Sequence, residues 1–339
     1  MRILKYLIFI LTSVAAIWYF ATQKSEYQTI NGRIFGTFYT VKVRAKHENR
    51  LLQRDVREEL AKINDKMSVF EINSEISEIN REPAGKWIEL SPEMSKILKK
   101  ASKIYAMSNG SFDPTTAKLI DIWGFGTTGR IQKLPDERDI KEILEVTGFN
   151  KLQFSADFKK MQKLYNGVTL NLSAIAKGYG VDRLASMLKK EGYTDFVVEI
   201  GGEVVASGSR SDKTDGWNIG IAKPTEDGNE NSFIVKLKDY AVATSGDYHN
   251  YFSINGQKYS HTINPKTGYP VENNLVAVTV FHKNCMTADG LATAIMSMGE
   301  QKASEFIRSN NLAVIMFVKD DKQNITPIIS EAAKKLEIQ

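Results

Sequence analysis

The densest set of side chains able to do chemistry lies in the last third of the chain. Residues 260–270 read SHTINPKTGYP and contain His261, one of four histidines. An imidazole titrates near neutral pH and is the commonest general base of enzymes. The NG pair at 255–256 lies between two alternating runs and predicts a β-hairpin that ends just before His261. The pattern indicates a catalytic loop, or else an ordinary turn with an exposed histidine.

Lys177 is the second candidate, within residues 170–182, LNLSAIAKGYGVD. This segment predicts a short strand, a turn of small residues and a helix that begins near the lysine. A cation at that helix end is opposed by the helix dipole, whereas a bound phosphate would be held by the lysine and the backbone N–H groups together. Lys177 therefore indicates a phosphate site, or else a solvated lysine after a tight turn.

Asp289 and Thr293 form a third candidate site in residues 287–294, TADGLATA. Residues four apart on a helix share one face. A carboxylate and a hydroxyl are hard oxygen ligands, which suit Mg²⁺ or Ca²⁺. The alternative is structural: Thr287 would cap the helix and Asp289 would complement its dipole.

Two loops rich in glycine and aromatic residues complete the candidate set. They are SNGSFDPTT at 108–116 and WGFG at 123–126. Phe112 and Trp123 could line a flat ring and Asp113 could accept hydrogen bonds from its edge, or the aromatic side chains could simply fill the core. No GxSxG, HExxH or CxxC motif is present.

The elements that must position these residues alternate irregularly between helix and strand. Periodicity predicts helices over 51–66, from Ser91, over 135–146, over 181–190 and over 287–298. It predicts strands in RIFGTFYTVKVRA, interrupted at Gly36, in VTLNL, and repeatedly after residue 194. This order lacks regular βαβ units and predicts an α+β fold with largely antiparallel or mixed sheets and packed helices.

Composition excludes several other classes of protein. The chain has 339 residues, a formal net charge of +5 and no basic tract, so nucleic acid is not the expected partner. The single Cys285 excludes an internal disulfide and any site with several cysteine ligands. A lone thiol also suits an oxidising compartment.

The N-terminus predicts a membrane anchor. Arg2 and Lys5 precede an uncharged stretch over 6–23, which as a helix would span roughly 27 Å at about 1.5 Å per residue. The positive end stays in the cytoplasm, so the remainder is expected outside the cytoplasmic membrane. A cleaved signal peptide is the alternative. We expect an anchor or signal peptide over 1–23, a linker over 24–31 and a single domain over 32–339.

Taken in order, nine segments resemble one family, the ApbE family of FAD:protein FMN transferases. They extend from residue 36 to residue 294, most of the chain outside the predicted anchor. The segments are GTFYTV, MSVF with NSEISEIN, GSFDPTT, WGFG, LNLSAIAKGYGVD, EIGGEV, ATSGDY, SHTINPKTGYP and ADGLATA.

The resemblance implies an ApbE-like fold and a reaction in which FMN passes from FAD to a threonine hydroxyl of a target protein, with Mg²⁺ as cofactor and AMP released. It implies that the Ala174 carbonyl, Asp289 and Thr293 hold the metal and that His261 is the catalytic base. The positions implied for flavin and pyrophosphate are Phe35, Phe70, Ser111, Phe112, Asp113, Asn171, Lys177 and Ile263.

Partners and location also follow from the resemblance. The family's targets are subunits of membrane redox pumps and other extracytoplasmic flavoproteins, so the catalytic domain is expected on the periplasmic side of the inner membrane. Asn171 stands where the family commonly has Asp, and Phe70 where Tyr is usual. Two other functions use the same residues: an FAD pyrophosphatase that gives free FMN and AMP, and a flavin-binding protein without catalysis.

Overall fold

An antiparallel sheet of eight strands forms the centre of the fold. The computed structural model describes residues 27–45, 48–212, 214–225, 231–246, 251–254 and 257–338. The strands of the central sheet are β1 (Tyr27–Ile34), β2 (Thr37–Arg44), β6 (Phe196–Ile200), β7 (Glu203–Ser207), β10 (Tyr240–Gly246), β13 (Leu275–His282), β14 (Ala313–Lys319) and β15 (Ile325–Ile329). They lie side by side in this same order, and every neighbouring pair is antiparallel.

Three small antiparallel sheets surround the central one. Their strands are β3 (Ile88–Glu89), β4 (Leu152–Phe154) and β5 (Lys160–Lys163) in the first, β8 (Trp217–Ala222) and β9 (Asn231–Leu237) in the second, and β11 (Tyr251–Ile254) and β12 (Gln257–Ser260) in the third. The β11–β12 pair is the hairpin predicted before His261, although its tip at 255–256 lies outside the described residues.

The helices are α1 (Leu52–Met67), α2 (Glu75–Arg81), α3 (Pro92–Met107), α4 (Ala117–Ile122), α5 (Glu137–Glu145), α6 (Ser173–Lys190), α7 (Cys285–Met298) and α8 (Glu300–Ser309). Short 3₁₀ turns cover Phe149–Lys151 and Ala333–Lys335. Ser91 caps α3, with Pro92 at its first position, as the sequence predicts. The predicted α+β class with largely antiparallel sheet is confirmed.

The central sheet separates two hydrophobic cores, because successive side chains of a strand point to opposite faces. In β6, Phe196 and Val198 pack in the larger core beneath the helices, whereas Val197 packs in a smaller core beneath β8 and β9. Trp217 of β8 fills that smaller core and donates its indole N–H to the Ser207 carbonyl at 2.8 Å.

A third core lies under the loop that carries His261. Its side chains come from α4, α5, β12 and the loop itself. They form a cluster that is separate from the other two cores. Its buried members are Leu119, Trp123, Ile140, Tyr259 and Ile263.

Helices α6 and α7 cross closely because Gly178 lies at their contact. A Cβ added to Gly178 would lie 2.5 Å from the Cys285 carbonyl oxygen and 2.8 Å from the Asp289 Cβ. Both distances are far below van der Waals contact, so any larger residue would push the helices apart. The small-residue pattern AKGYG therefore positions Asp289 against α6.

Several predicted elements differ from the structure. The predicted linker is wrong over 27–31, which belong to β1, whereas the predicted interruption at Gly36 lies in the tight turn between β1 and β2. VTLNL forms no strand, because the amide of Asn80 occupies both backbone groups of Leu170, at 2.7 and 2.9 Å. Helix α6 therefore begins at Ser173, before the predicted start at 181.

Helix α7 begins earlier than predicted as well. Its cap is Asn284, whose side chain accepts the Thr287 N–H at 3.0 Å, so Thr287 is not the cap. Within the described residues no helix has the length and apolar character needed to cross a membrane. The predicted anchor over 1–23 lies outside the described residues and remains a prediction.

Candidate active site

One cavity of about 1050 Å³ collects eleven of the twelve predicted site residues. Its walls come from the N-terminal turns of α6, one side of α7, the loops after α3 and β12, and strands β6, β8 and β10. The predicted residues that line it are Phe70, Ser111, Phe112, Asp113, Asn171, Ala174, Lys177, His261, Ile263, Asp289 and Thr293.

Phe35 is the one predicted site residue that does not line the cavity. It occupies the turn between β1 and β2 with a φ of 51°. Its ring packs toward Gly180 of α6, where an added Cβ would lie 3.1 Å from the ring edge. Phe35 therefore supports α6 from outside the cavity.

Lys177 pairs with a carboxylate that sequence reasoning missed. Its Nζ lies 2.7 Å from Oε2 of Glu203, the first residue of β7, and the Glu203 side chain is only 1 % exposed. The Lys177 side chain remains 30 % exposed, on the cavity side. The alternative of a solvated lysine is therefore wrong. The signal for Glu203 was present in EIGGEV, where a charged residue opens a strand that is buried throughout.

The charges of this pair follow from burial and proximity. Burial opposes the Lys177 charge, but Glu203 and Asp289 outweigh it and raise the Lys177 pKa. Burial raises the pKa of the Glu203 carboxyl to about 8, although Lys177 opposes the rise. A lysine that stays charged at the cavity wall can attract an anionic ligand.

Asp289 joins α7 to α6 and has the chemistry of a cation ligand. It is 3 % exposed, and its Oδ2 accepts the Gly178 N–H at 2.9 Å. Burial raises the pKa of the Asp289 carboxyl, while Lys177 and the Gly178 N–H act in the opposite direction. In a regular α-helix the Gly178 N–H would serve the Ala174 carbonyl alone. Because Asp289 shares that donor, the Ala174 oxygen keeps capacity for a cation.

Thr293 lies one turn further along α7, and its Oγ1 is 3.4 Å from the Ser245 Oγ of β10. A buried carboxylate, a hydroxyl and a main-chain carbonyl on one cavity wall form a donor set of hard oxygens, which fits Mg²⁺. No three His, Cys, Asp or Glu side chains gather into a metal site anywhere in the described part of the chain.

His261 leaves the end of β12 and enters a loop that its own backbone braces. The Asn264 N–H donates to the Tyr269 carbonyl and the Gly268 N–H to the Asn264 carbonyl, both at 2.9 Å. The Trp123 indole donates to the Gly268 carbonyl at 2.8 Å. The His261 ring meets the Phe125 ring edge-on, with centroids 6.3 Å apart. The loop therefore presents the imidazole from a defined position.

The aromatic candidates divide into two roles. Trp123 is 3 % exposed and anchors the loop of His261, so the interpretation as a core residue is correct for it. Phe112 is 1 % exposed, yet it contributes to the cavity wall. Phe70 is 69 % exposed at the cavity, which leaves its ring available for stacking on a flat ligand.

Asp113 and Asn171 hold the cavity wall in shape. One Asp113 oxygen accepts the Thr115 N–H and hydroxyl, at 2.8 and 2.6 Å, and the other accepts the Phe149 N–H at 3.1 Å. Burial raises the Asp113 pKa, against these hydrogen bonds. Asn171 accepts the Ser173 N–H at 2.9 Å, where α6 begins. Both side chains therefore already accept hydrogen bonds from the backbone. The sequence pattern alone does not show these hydrogen bonds.

Comparisons with known proteins identify the family of the chain. The sequence profile of the ApbE family matches residues 35–316. The chain is 36 % identical over 302 residues to the FAD:protein FMN transferase of Vibrio cholerae, covering 88 % of this chain and 89 % of that protein. It is 35 % identical to the FAD:protein FMN transferase of Haemophilus influenzae, covering 91 % of each.

Solved structures give the same result. The flavin transferase ApbE from Vibrio cholerae superposes with a TM-score of 0.84 at 33 % identity, over 92 % of this chain and all of that one. The apo form of the Pseudomonas stutzeri flavinyl transferase ApbE superposes with a TM-score of 0.83 at 32 % identity, over 91 % of this chain and 96 % of that one. The match extends through every element that lines the cavity, and the chain therefore belongs to the ApbE family.

Proposed function

We propose that this enzyme transfers FMN from FAD to a threonine hydroxyl of an acceptor protein, with Mg²⁺ as cofactor, and releases AMP. The chain is an enzyme of the FAD:protein FMN transferase type, as its relatives are named. The observation that carries the finer proposal is the cavity, which brings a charged lysine, a set of hard oxygen ligands and a histidine into one space.

The phosphate end of the site would be at α6 and α7. Lys177 stays protonated and faces the cavity, so it can attract the two linked phosphates of FAD. Ala174, Asp289 and Thr293 would hold Mg²⁺, which when bound supplies charge stabilisation for the leaving phosphate. The neighbouring Glu203 and Asp289 raise the Lys177 pKa and so favour its charged form.

The proton transfer is assigned to His261. The threonine oxygen attacks the phosphorus on the FMN side, the P–O bond to AMP breaks, and a phosphoester bond to threonine forms. The hydroxyl proton passes to the His261 imidazole as the bond forms. The AMP phosphate takes the electron pair of the broken bond, near Lys177.

The flavin end would be formed by apolar and aromatic side chains. Phe70 is exposed at the rim and offers a ring face, while Ile263 and Phe112 supply apolar wall. Stacking and apolar burial suit the isoalloxazine, which is flat and largely uncharged. One cavity thus offers charged groups for the pyrophosphate and apolar groups for the isoalloxazine of FAD.

Location and acceptor belong to the same proposal. We place the catalytic domain on the periplasmic side of the inner membrane, held by residues 1–23, and expect a threonine-bearing subunit of a membrane redox pump among its acceptors. The support is the charge pattern of Arg2 and Lys5 before an uncharged stretch.

The function is tested with purified full-length protein, FAD, Mg²⁺ and a threonine-containing acceptor, followed by mass spectrometry of the acceptor. We expect the acceptor to gain the mass of FMN, with an equal amount of AMP. Free FMN and AMP beside an unmodified acceptor would indicate an FAD pyrophosphatase. Binding of FAD without any AMP would contradict both reactions.

A further inference from the structure

Strand β8 turns its edge, not its face, toward the cavity. It contributes five consecutive residues, 218–222, to the wall. Side chains alternate along a strand, so a face contributes every second residue. β6 behaves in that way, since only Val197 and Glu199 of that strand line the cavity. The unbroken run in β8 therefore indicates that backbone atoms of this strand form this part of the cavity wall.

The burial of β8 side chains supports this orientation. Ile221 is only 4 % exposed and packs in the smaller core, yet it belongs to the cavity wall. Its side chain points away, so its backbone groups must form that part of the wall. Asn218, Gly220 and Ala222 are exposed.

The edge of β8 that faces the cavity has no strand beside it among the described residues. β8 pairs with β9 on its other side, and β9 in turn accepts the C-terminal segment, with the Lys236 N–H donating to the Glu337 carbonyl at 3.0 Å. A strand edge presents alternating N–H and C=O groups that another extended chain can pair with. The outer strands of the central sheet, β1 and β15, contribute no residue to the cavity.

The cavity is large for a ligand pocket. Ligand pockets commonly measure about 300–1,000 Å³, and this cavity reaches about 1050 Å³. The phosphate and flavin groups are assigned to the walls formed by α6, α7 and the loops. The wall formed by β8 is assigned to neither group, and an open strand edge suits an extended polypeptide, which a protein modification reaction has as its second substrate.

We propose that the acceptor polypeptide binds in extended form along the outer edge of β8, as an added strand that places its threonine in the cavity. This inference rests on the proposed function, because a pyrophosphatase needs no polypeptide. Main-chain hydrogen bonds supply the affinity, so β8 recognises an extended backbone near the threonine.

The first test uses a library of synthetic peptides with one central threonine and varied neighbours, incubated with full-length protein, FAD and Mg²⁺. A peptide that gains FMN is then resynthesised with one backbone N-methyl group at a time on either side of the threonine. In a strand, N–H groups point alternately toward and away from the partner. We expect losses of about three- to tenfold in flavinylation at alternate positions only.

The second test uses the chemistry of a single exposed thiol. Cys285 is fully buried, so Ala222→Cys introduces one accessible thiol on the β8 edge. The flavinylated peptide, remade with a cysteine in place of one residue at a time, should form a disulfide at alternate positions. Thr326→Cys is the matched control, because Thr326 is exposed on the edge strand β15, outside the cavity wall.

The outcomes separate this inference from the function on which it rests. Flavinylation without alternation in the N-methyl series, or equal trapping by Ala222→Cys and Thr326→Cys, would overturn strand addition and leave the transferase intact. Release of AMP with no FMN on any library member would count against the transferase function, and strand addition would fall with it.

Discussion

At the scale of single residues, the site depends on groups whose charge is set by their neighbours. Lys177, Glu203 and Asp289 form one buried electrostatic unit in which two acidic side chains with raised pKa values face one lysine. Removing any member changes the charge balance of the other two. The substitutions below test the metal assignment, the base assignment and the charge of the buried pair.

Asp289→Ala is expected to abolish Mg²⁺-dependent turnover, because it removes the charged member of the proposed ligand set. Thr293→Val keeps the side-chain shape and removes one neutral oxygen, so its activity should be reduced and partly restored at high Mg²⁺. Activity is measured as AMP release against Mg²⁺ concentration, with circular dichroism to confirm the fold. Native activity that is unchanged after removal of Mg²⁺ would contradict the metal assignment.

His261→Gln is expected to bind FAD nearly as well as the native protein but to lose about 10²- to 10⁴-fold in turnover, the usual contribution of a positioned base. Native activity should also fall at acidic pH, because a protonated imidazole cannot accept the threonine proton. FAD affinity is measured by flavin fluorescence and turnover by AMP release. A loss of affinity with an unchanged rate would make His261 a ligand contact instead.

Glu203→Gln tests the charge of the buried pair through stability. The folded pKa of Glu203 is about 8, above its ordinary 4.5, so the stability this group contributes is complete below about pH 4.5 and is lost as pH rises toward 8. Glutamine does not titrate. From pH 5 to pH 8 the free energy of unfolding should therefore fall by about 1 kcal/mol or more further in the native protein than in the variant. Urea unfolding at both pH values measures this, and parallel changes would show that Glu203 does not titrate there.

Sequence reasoning selected many residues that line the cavity but not their supporting contacts. Residue type and spacing were enough to select His261, Lys177 and Asp289, because their chemistry stands out in a small-residue or proline-rich context. Glu203 was missed because its role depends on β7 passing α6, a contact between distant parts of the chain. The contact of Asp113 with the Phe149 N–H is also non-local, whereas Asp113 with Thr115 and Asn171 with Ser173 form local turns.

At the scale of elements, close packing of α6 on α7 holds Lys177 and Asp289 near each other. Gly178→Ala is expected to destabilise the protein by about 1–3 kcal/mol, as overpacking does, because the new Cβ meets the backbone at Cys285. Gly180→Ala is the matched control on the same helix, where the nearest atoms belong to the side chains of Ile200 and Phe35. Its loss should be smaller, since side chains can shift and alanine favours helix. Thermal unfolding compares the two, and equal losses would contradict the helix-contact explanation.

Helices and strands were predicted correctly where the hydrophobic periodicity was strong. The prediction failed where a side chain, instead of a neighbouring strand, formed the hydrogen bonds of the backbone. α1 was predicted within one residue of both of its ends, and α3 within one residue of its start. VTLNL has strand-like composition, but the Asn80 side chain takes the place of a neighbouring strand at Leu170. Short elements such as α2 and β15 were not predicted, because a few residues give too little periodicity.

At the scale of the whole molecule, the predicted membrane anchor implies a topology that can be tested. A reporter that is active only in the cytoplasm, fused after Gln339, should be silent in cells, because Arg2 and Lys5 keep the N-terminus inside. A periplasm-active reporter at the same position is the control and should work. The reverse pattern would overturn the predicted orientation.

Because of the third core, the candidate active site rests on two separate hydrophobic clusters. Lys177 and Asp289 rest on the main core, whereas His261 and Ile263 rest on a small separate cluster under their loop. Small clusters with few buried side chains open locally at lower free energy than the main core of a domain. A substrate that binds to both parts of the site connects the small cluster to the main core and so stabilises the small cluster. FAD should therefore slow amide hydrogen exchange more in residues 260–270 than in α6, so that the order of the histidine loop reports occupancy of the site.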